Sequence, residues 1–158
     1  AANSPIMQSV IKFAEAGGYI VGICNGFQIL IESKLLPGAL MRNKTLKFIC
    51  RTEKIKIQTR DSIFTKSFHA NEFINFPIAH HDGNFFANGD LKKLLLDQDQ
   101  IAFTYCHNPN GSSLNIAGIL STNRRILGMM PHPERAINDY HSSRDGKLFF
   151  NSLINSLN

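Results

Sequence analysis

The chain has 158 residues, a formal charge of +5, 43% hydrophobic and 18% charged residues, and three cysteines. That size and balance describe one soluble globular domain, residues 1–158, with a core of its own. They argue against a membrane span and, with Lys and Arg scattered along the chain, against a nucleic-acid groove, so neither nucleic acid nor membrane is expected as a partner.

Ser4-Pro5 predicts a helix start, with Ser4 as N-cap and Pro5 at the first helical position. Ile6, Val10, Phe13 and Ala14 share one face of that helix and are its expected core side. Gly17-Gly18 ends it, and the apolar run Tyr19 to Ile23 predicts a buried parallel strand, as in doubly wound α/β proteins. The run stops at Cys24, and a helical pattern carrying Phe27, Leu30 and Ile31 begins at once and stops before Leu36-Pro37-Gly38. Glycines stand two residues before and two after the cysteine. This is the strand–turn–helix frame of a nucleophile elbow, with cysteine in the place of serine. Gly22 and Gly26 are expected where strand and helix backbones crowd. Cys24, at a helix N-terminus, is expected to have a lowered pKa. An isolated cysteine ending a core strand would be read as a packing residue; the paired glycines and the change of period favour a nucleophile.

Lys54 to Gln58 alternates polar and apolar, which predicts a strand with one wet face. Phe73 to Ala79 predicts another, running into His80-His81-Asp82-Gly83. Asp90 is the expected cap of a short helix through Leu91, Leu94 and Leu95. Ile101–Tyr105, Leu114–Leu120 and Ile126–Met130 read as strands, with turns at Asn108-Pro109-Asn110-Gly111 and Asn123-Arg124. A helix from about Gly146 to Leu157 closes the chain, with Leu153 and Leu157 spaced for packing.

A cysteine nucleophile needs a base, and the base needs a partner that orients it. Met130-Pro131-His132-Pro133-Glu134 follows the strand Ile126–Met130, so its side chains lie at a strand end. Prolines on both sides of His132 favour an extended chain, in which His132 and Glu134 project the same way. Glu134 is therefore expected to orient His132 toward Cys24, in the manner of a triad. Alone, the H-P-E tripeptide would read as a surface loop. His69, His107 and His141 read as loop residues. His80 and His81 line a pocket or sit in a polar loop, and no second ligand cluster makes them a metal site. Cys50 and Cys106 are expected in the core. Three cysteines without a C-x-x-C pair fit a reducing, cytoplasmic setting.

Gly22-Ile23-Cys24-Asn25-Gly26-Phe27-Gln28, followed by Pro131-His132-Pro133-Glu134, resembles the class I (triad) glutamine amidotransferases. Leu35 to Asn43, Leu46 to Arg51, Asn108 to Ser112, Asn115 to Ile119 and Leu127 to Arg135 are similar to the glutaminase subunits of phosphoribosylformylglycinamidine synthase, so the likeness runs through nearly the whole chain. It implies a flavodoxin-like α/β domain: an open, mostly parallel sheet with helices on both faces and an antiparallel β region. It implies glutamine as substrate, Cys24 as nucleophile, His132 as acid and base, and Glu134 as its orienter. It also implies Asn25 N–H as an oxyanion donor, Gln28 as a glutamine-holding residue and His80 as a pocket residue. Ammonia would pass to a synthetase subunit of the same enzyme, in an assembly with a small accessory subunit, during de novo purine synthesis. ATP and magnesium would bind that partner; this chain has no P-loop.

Two departures accompany the likeness. Where the family usually has Gly-Glu-Gly after the loop histidine, His81-Asp82-Gly83 stands here. Family members also begin with strands and a glycine-rich oxyanion loop ahead of the segment that opens this sequence. The chain is accordingly expected to be an N-terminally truncated fragment that packs against another chain or itself, with little glutaminase activity alone. Two further readings stay open on the residues: a Cys-elbow hydrolase of the dienelactone-hydrolase type, and a non-catalytic interaction module of the synthetase assembly.

Overall fold

The computed structural model describes residues 4–69 and 71–157. Helix α1 (Pro5–Glu15) starts as expected: Ser4 is extended, and its side chain accepts the Met7 N–H at 3.4 Å. The buried face of α1 is Met7 and Ala14, however, while Ile6 and Phe13 are 71% and 55% exposed. Phe13 instead folds against Gly18, where an added Cβ would lie 2.2 Å from its ring. Strand β1 (Ile20–Ile23) and helix α2 (Asn25–Glu32) follow, with Phe27 and Leu30 buried under α2.

Beyond α2 come β2 (Ala39–Met41), β3 (Ile49–Ile57), β4 (Phe73–His80), β5 (Asn84–Phe86), α3 (Gly89–Asp97), β6 (Ile101–Tyr105), β7 (Ile116–Leu120), β8 (Ile126–Met129) and α4 (Asp145–Leu157). Six strands form one sheet in the order β1-β8-β7-β6-β3-β4, and β2 pairs with β5 in a second, two-stranded one. Alternation along β1 separates two cores. Val21 and Ile23 pack into the cluster that holds Ile55, Phe76, Phe103 and Phe149 of α4, while Ile20 packs into the cluster of Phe27, Leu30, Phe85 and Leu95. Helices thus cover both faces, α2 and α3 on one and α4 on the other, as the α/β reading requires.

The direction of the strands differs from expectation. Only β1 and β8 pair in parallel among the described strands; β8–β7, β7–β6, β6–β3 and β3–β4 are antiparallel. For β7 and β8 the reason lies in their connection. The link from β7 to β8 is too short for a crossover helix and turns at Arg124, whose φ is 60°. The antiparallel region expected from sequence therefore makes up most of this sheet, and the expected parallel strand β1 lies at its edge.

Several local expectations change as well. Asn88, not Asp90, caps α3, accepting from the Leu91 N–H at 2.9 Å. In α4 the buried residues are Gly146, Phe149 and Ser152; Leu153 is half-buried and Leu157 is 62% exposed. Cys50 is exposed and Cys106 half-buried, so neither is a core residue; Cys50 lies on the outward side of β3. His69, His107 and His141 lie outside helices and strands, as read. The pair β2 and β5 was not visible in sequence, because three residues give no period to read. It matters for the site, since the register of Met41 opposite Asn84 brings residues 42–43 against the 80–83 loop.

Candidate active site

The site forms at the C-terminal ends of the two parallel strands, where open α/β sheets usually bind ligands. Cys24 joins β1 to α2 with φ 52° and ψ −106°, a conformation that non-glycine residues rarely adopt and that costs roughly 1–3 kcal/mol. The backbone on either side holds it there: Cys24 N–H donates to Met129 O at 2.8 Å, and Gln28 N–H donates to Cys24 O at 3.3 Å. Gly22 is needed for this turn, because a Cβ there would meet Leu30 Cδ1 at 2.4 Å and the Gly26 carbonyl at 2.7 Å. Gly26 is not: a Cβ at Gly26 would meet nothing beyond its own helix. The crowding expected at both glycines exists at one.

The Cys24 thiol is half-buried and donates a weak hydrogen bond to Ala79 O at 3.8 Å. Contrary to expectation, its pKa is raised. Burial pushes it up more than the Asn25 N–H and the Arg135 guanidinium pull it down, and Glu134 adds to the rise. The resting group is therefore a thiol, and attack requires a base.

His132 can supply one. It follows β8, is 7% exposed, and is anchored by its own N–H donating to Pro77 O at 2.8 Å. Its Nδ1–H donates to Glu134 Oε1 at 2.6 Å, while the buried Nε2 has no protein partner. The expected pairing is present, but the backbone that produces it is not extended. Residues Pro133–Arg135 form one turn of 3₁₀ helix, which folds Glu134 back on His132. The start of α4 braces this turn: a Cβ on Gly146 would lie 1.9 Å from Pro133 O, and Gly146 N–H donates to Ala136 O at 2.8 Å.

Cys24, His132, His80, Asn25 and Gln28 line one cavity of about 470 Å³, a size suited to a small metabolite. Glu134 stands behind His132. A cavity of about 670 Å³ lies around Leu35, Pro37, Leu94 and Ile126, at the other end of β8, and holds no nucleophile with a base. Among the described residues no group of three His, Cys, Asp or Glu side chains is placed to hold a metal.

Residues 1–148 match the CobB/CobQ-like glutamine amidotransferase domain. The chain belongs to this family of class I glutamine amidotransferases. Within the family it is 56% identical to the phosphoribosylformylglycinamidine synthase subunit PurQ of Ruegeria sp. strain TM1040, over 97% of this chain and 69% of that protein. The corresponding subunit of Roseobacter denitrificans is 55% identical over 99% of this chain and 71% of its own length. Among solved structures, PurLQS from Thermotoga maritima contains a chain that is 39% identical, with a TM-score of 0.91 over 99% of this chain and 70% of that one. The expected amidotransferase fold is thereby shown.

The arrangement of this amidotransferase site also includes residues that sequence reading did not assign. Asn43 is fully buried and ties the β2–β3 connection to the 80–83 loop, with its N–H donating to His81 O at 2.9 Å. Arg135, Asp82 and Phe48 line the cavity beside the expected residues. Asp82 lies 3.7 Å from Arg42 in an exposed ion pair. Gln28 points along α2, donating to Glu32 at 2.9 Å. His80, read only as a pocket residue, is 4% exposed, and burial together with nearby His132 lowers its pKa to about 4. Asn43 lies within a stretch that carries the family likeness, yet nothing local marks it, because its partners are 37 and 40 residues away.

Proposed function

We infer that this chain is the glutaminase component of phosphoribosylformylglycinamidine synthase, releasing ammonia from glutamine for de novo purine synthesis. The observation that carries this reading is the strained Cys24 elbow sharing a cavity with a His132–Glu134 pair, in a chain more than half identical to subunits of that enzyme.

The chemistry follows from the groups in place. Cys24 Sγ attacks the side-chain carbonyl carbon of glutamine as His132 Nε2 takes the thiol proton. His132 is suited to that proton, because Glu134 already accepts its Nδ1–H and balances the imidazolium charge. Negative charge moves to the carbonyl oxygen, where the Asn25 N–H, at the start of α2, acts as a donor. His132 returns the proton to the leaving nitrogen, ammonia departs, and a γ-glutamyl thioester remains on Cys24. Water, deprotonated by His132, then cleaves the thioester to glutamate and restores the thiol. Gln28, at the cavity wall, would help hold the glutamine once released from Glu32.

The ammonia goes to a synthetase subunit, which holds the ATP and magnesium of the overall reaction, in a cytoplasmic assembly that includes a small accessory subunit. The name of the Thermotoga maritima structure, PurLQS, supports an assembly of this kind. No described helix is long and apolar enough to cross a membrane. A chloroketone analogue of glutamine, followed by peptide mass spectrometry, tests the assignment. The adduct is expected on Cys24; an adduct on Cys50 or Cys106 with Cys24 free would reject it.

A further inference from the structure

The second histidine of the cavity has a chemistry unlike the first. Asn43 fixes it. The Asn43 Nδ2 amide donates to Lys47 O at 2.8 Å and to His80 O at 2.9 Å, so its orientation is settled by two carbonyl oxygens. Asn43 Oδ1 then faces the Gly83 N–H at 3.1 Å and His80 Nδ1 at 3.0 Å. An amide oxygen only accepts, so Nδ1 of His80 carries the proton and Nε2 carries a lone pair. Gly83 and Asn43 cover the Cγ–Nδ1–Cε1 side of the ring; a Cβ at Gly83 would be 2.3 Å from Nδ1 and Cε1. Nε2 is left buried and without a protein partner, in a residue that lines the cavity with Cys24 and His132. The preceding residue, Ala79, accepts the Cys24 thiol through its backbone carbonyl, and His80 lines the same cavity as that sulfur.

We propose that His80 is a specificity-determining residue whose Nε2 accepts an N–H of the glutamine carboxamide and so distinguishes glutamine from glutamate. The proposal rests on the glutaminase reading and deepens it. A lone pair at that position is matched by the –NH₂ of the substrate and opposed by the carboxylate oxygen of the product, which has no proton to give. It thus favours both substrate capture and product release. The two histidines divide the work by their Nδ1 partners. His132 donates to a carboxylate, whereas His80 faces a neutral amide beside a second histidine and stays neutral. Asn43 is the positioning residue that fixes the His80 tautomer.

Two substitutions separate acceptor from scaffold. His80→Asn keeps an N–H near Nδ1 for Asn43 and removes the Nε2 acceptor. His80→Gln reaches an amide oxygen toward the Nε2 position and gives up the Asn43 contact. The readout is protection of Cys24 against the glutamine chloroketone, which lacks the carboxamide –NH₂ and so serves as its own control. In His80→Asn, folded as judged by thermal unfolding, the glutamine protection constant is expected to rise about tenfold, while that of glutamate does not rise. His80→Gln is expected to recover most of the glutamine preference. Unchanged glutamine protection in His80→Asn, or equal loss for glutamine and glutamate, overturns the role of His80 and leaves the glutaminase reading standing. Failure of the wild-type protein to label at Cys24 overturns that reading and this one with it.

Discussion

Acidification is expected to destabilise this fold through His80 before most carboxylates are protonated. In the folded state burial is the main cause of a His80 pKa lowered to about 4, from an ordinary value of 6.5. Neighbouring His132 lowers it further, while Asp82 and the His80 backbone act the other way. The unfolded chain therefore binds more protons between those two values. His80 contributes its full stability above the ordinary pKa, and that contribution falls as the pH drops toward the folded one. The loss from about pH 7.5 to about pH 5 is about 2 kcal/mol, approaching roughly 3 kcal/mol at still lower pH. The residue is 4% exposed, so solvent screening takes little from this figure. Urea unfolding at several pH values, for wild type and His80→Asn, isolates the effect because all other titrating groups are shared. Wild type is expected to lose about 2 kcal/mol more than the variant over that range. Parallel loss in the two proteins would mean that His80 titrates normally, and the argument for a permanently neutral acceptor would fail.

The remaining expectations concern the elbow and the triad. Gly22→Ala places a Cβ against Leu30 and the Gly26 carbonyl; it is expected to cost about 1–3 kcal/mol in thermal or urea unfolding and to slow Cys24 labelling. Gly26→Ala has open space and a helical position, so unfolding is expected to show no loss and a gain of up to about 1 kcal/mol. Glu134→Gln is expected to lower kcat by about 10²–10⁴ with little change in KM, because the amide can hold His132 in the wrong tautomer; an equal loss in Glu134→Asp would point to packing instead. Iodoacetamide alkylation of Cys24 is expected to keep rising with pH beyond the ordinary thiol range, because burial raises its pKa. A plateau near neutral pH would contradict that.

The residues that do the proposed chemistry were legible because each carries a local mark. Cys24 is framed by two glycines and a change of period, and His132 has an acid two residues on. What local reading missed depends on distant parts of the chain. Gly22 is crowded by Leu30 across the strand–helix contact, whereas Gly26 looks outward, a difference the symmetric G-x-C-x-G spacing conceals. The thiol pKa was misjudged because a helix N-terminus can be read from sequence and burial cannot. Glu134 reaches His132 through a 3₁₀ turn braced by Gly146, and that contact lies outside the motif. Asn43 and His80 meet where two three-residue strands, too short to show a pattern, pair antiparallel beside the β3–β4 end. The α1 face was misplaced for a related reason: Phe13 packs on Gly18 beyond the helix end, leaving Met7 and Ala14 to face the core. The α/β class survived these errors because helices cover both faces of the sheet, although most of its strand pairs are antiparallel.

The central claim is that glutamine is cleaved through a thioester on Cys24. Acid quenching during turnover with isotopically labelled glutamine, in the presence of the synthetase subunit, followed by peptide mass spectrometry, tests it most directly. A labile γ-glutamyl adduct is expected on the peptide containing Cys24, lost on hydroxylamine treatment and absent in Cys24→Ala. Steady glutamine turnover with no adduct there, or turnover that survives Cys24→Ala, would contradict it.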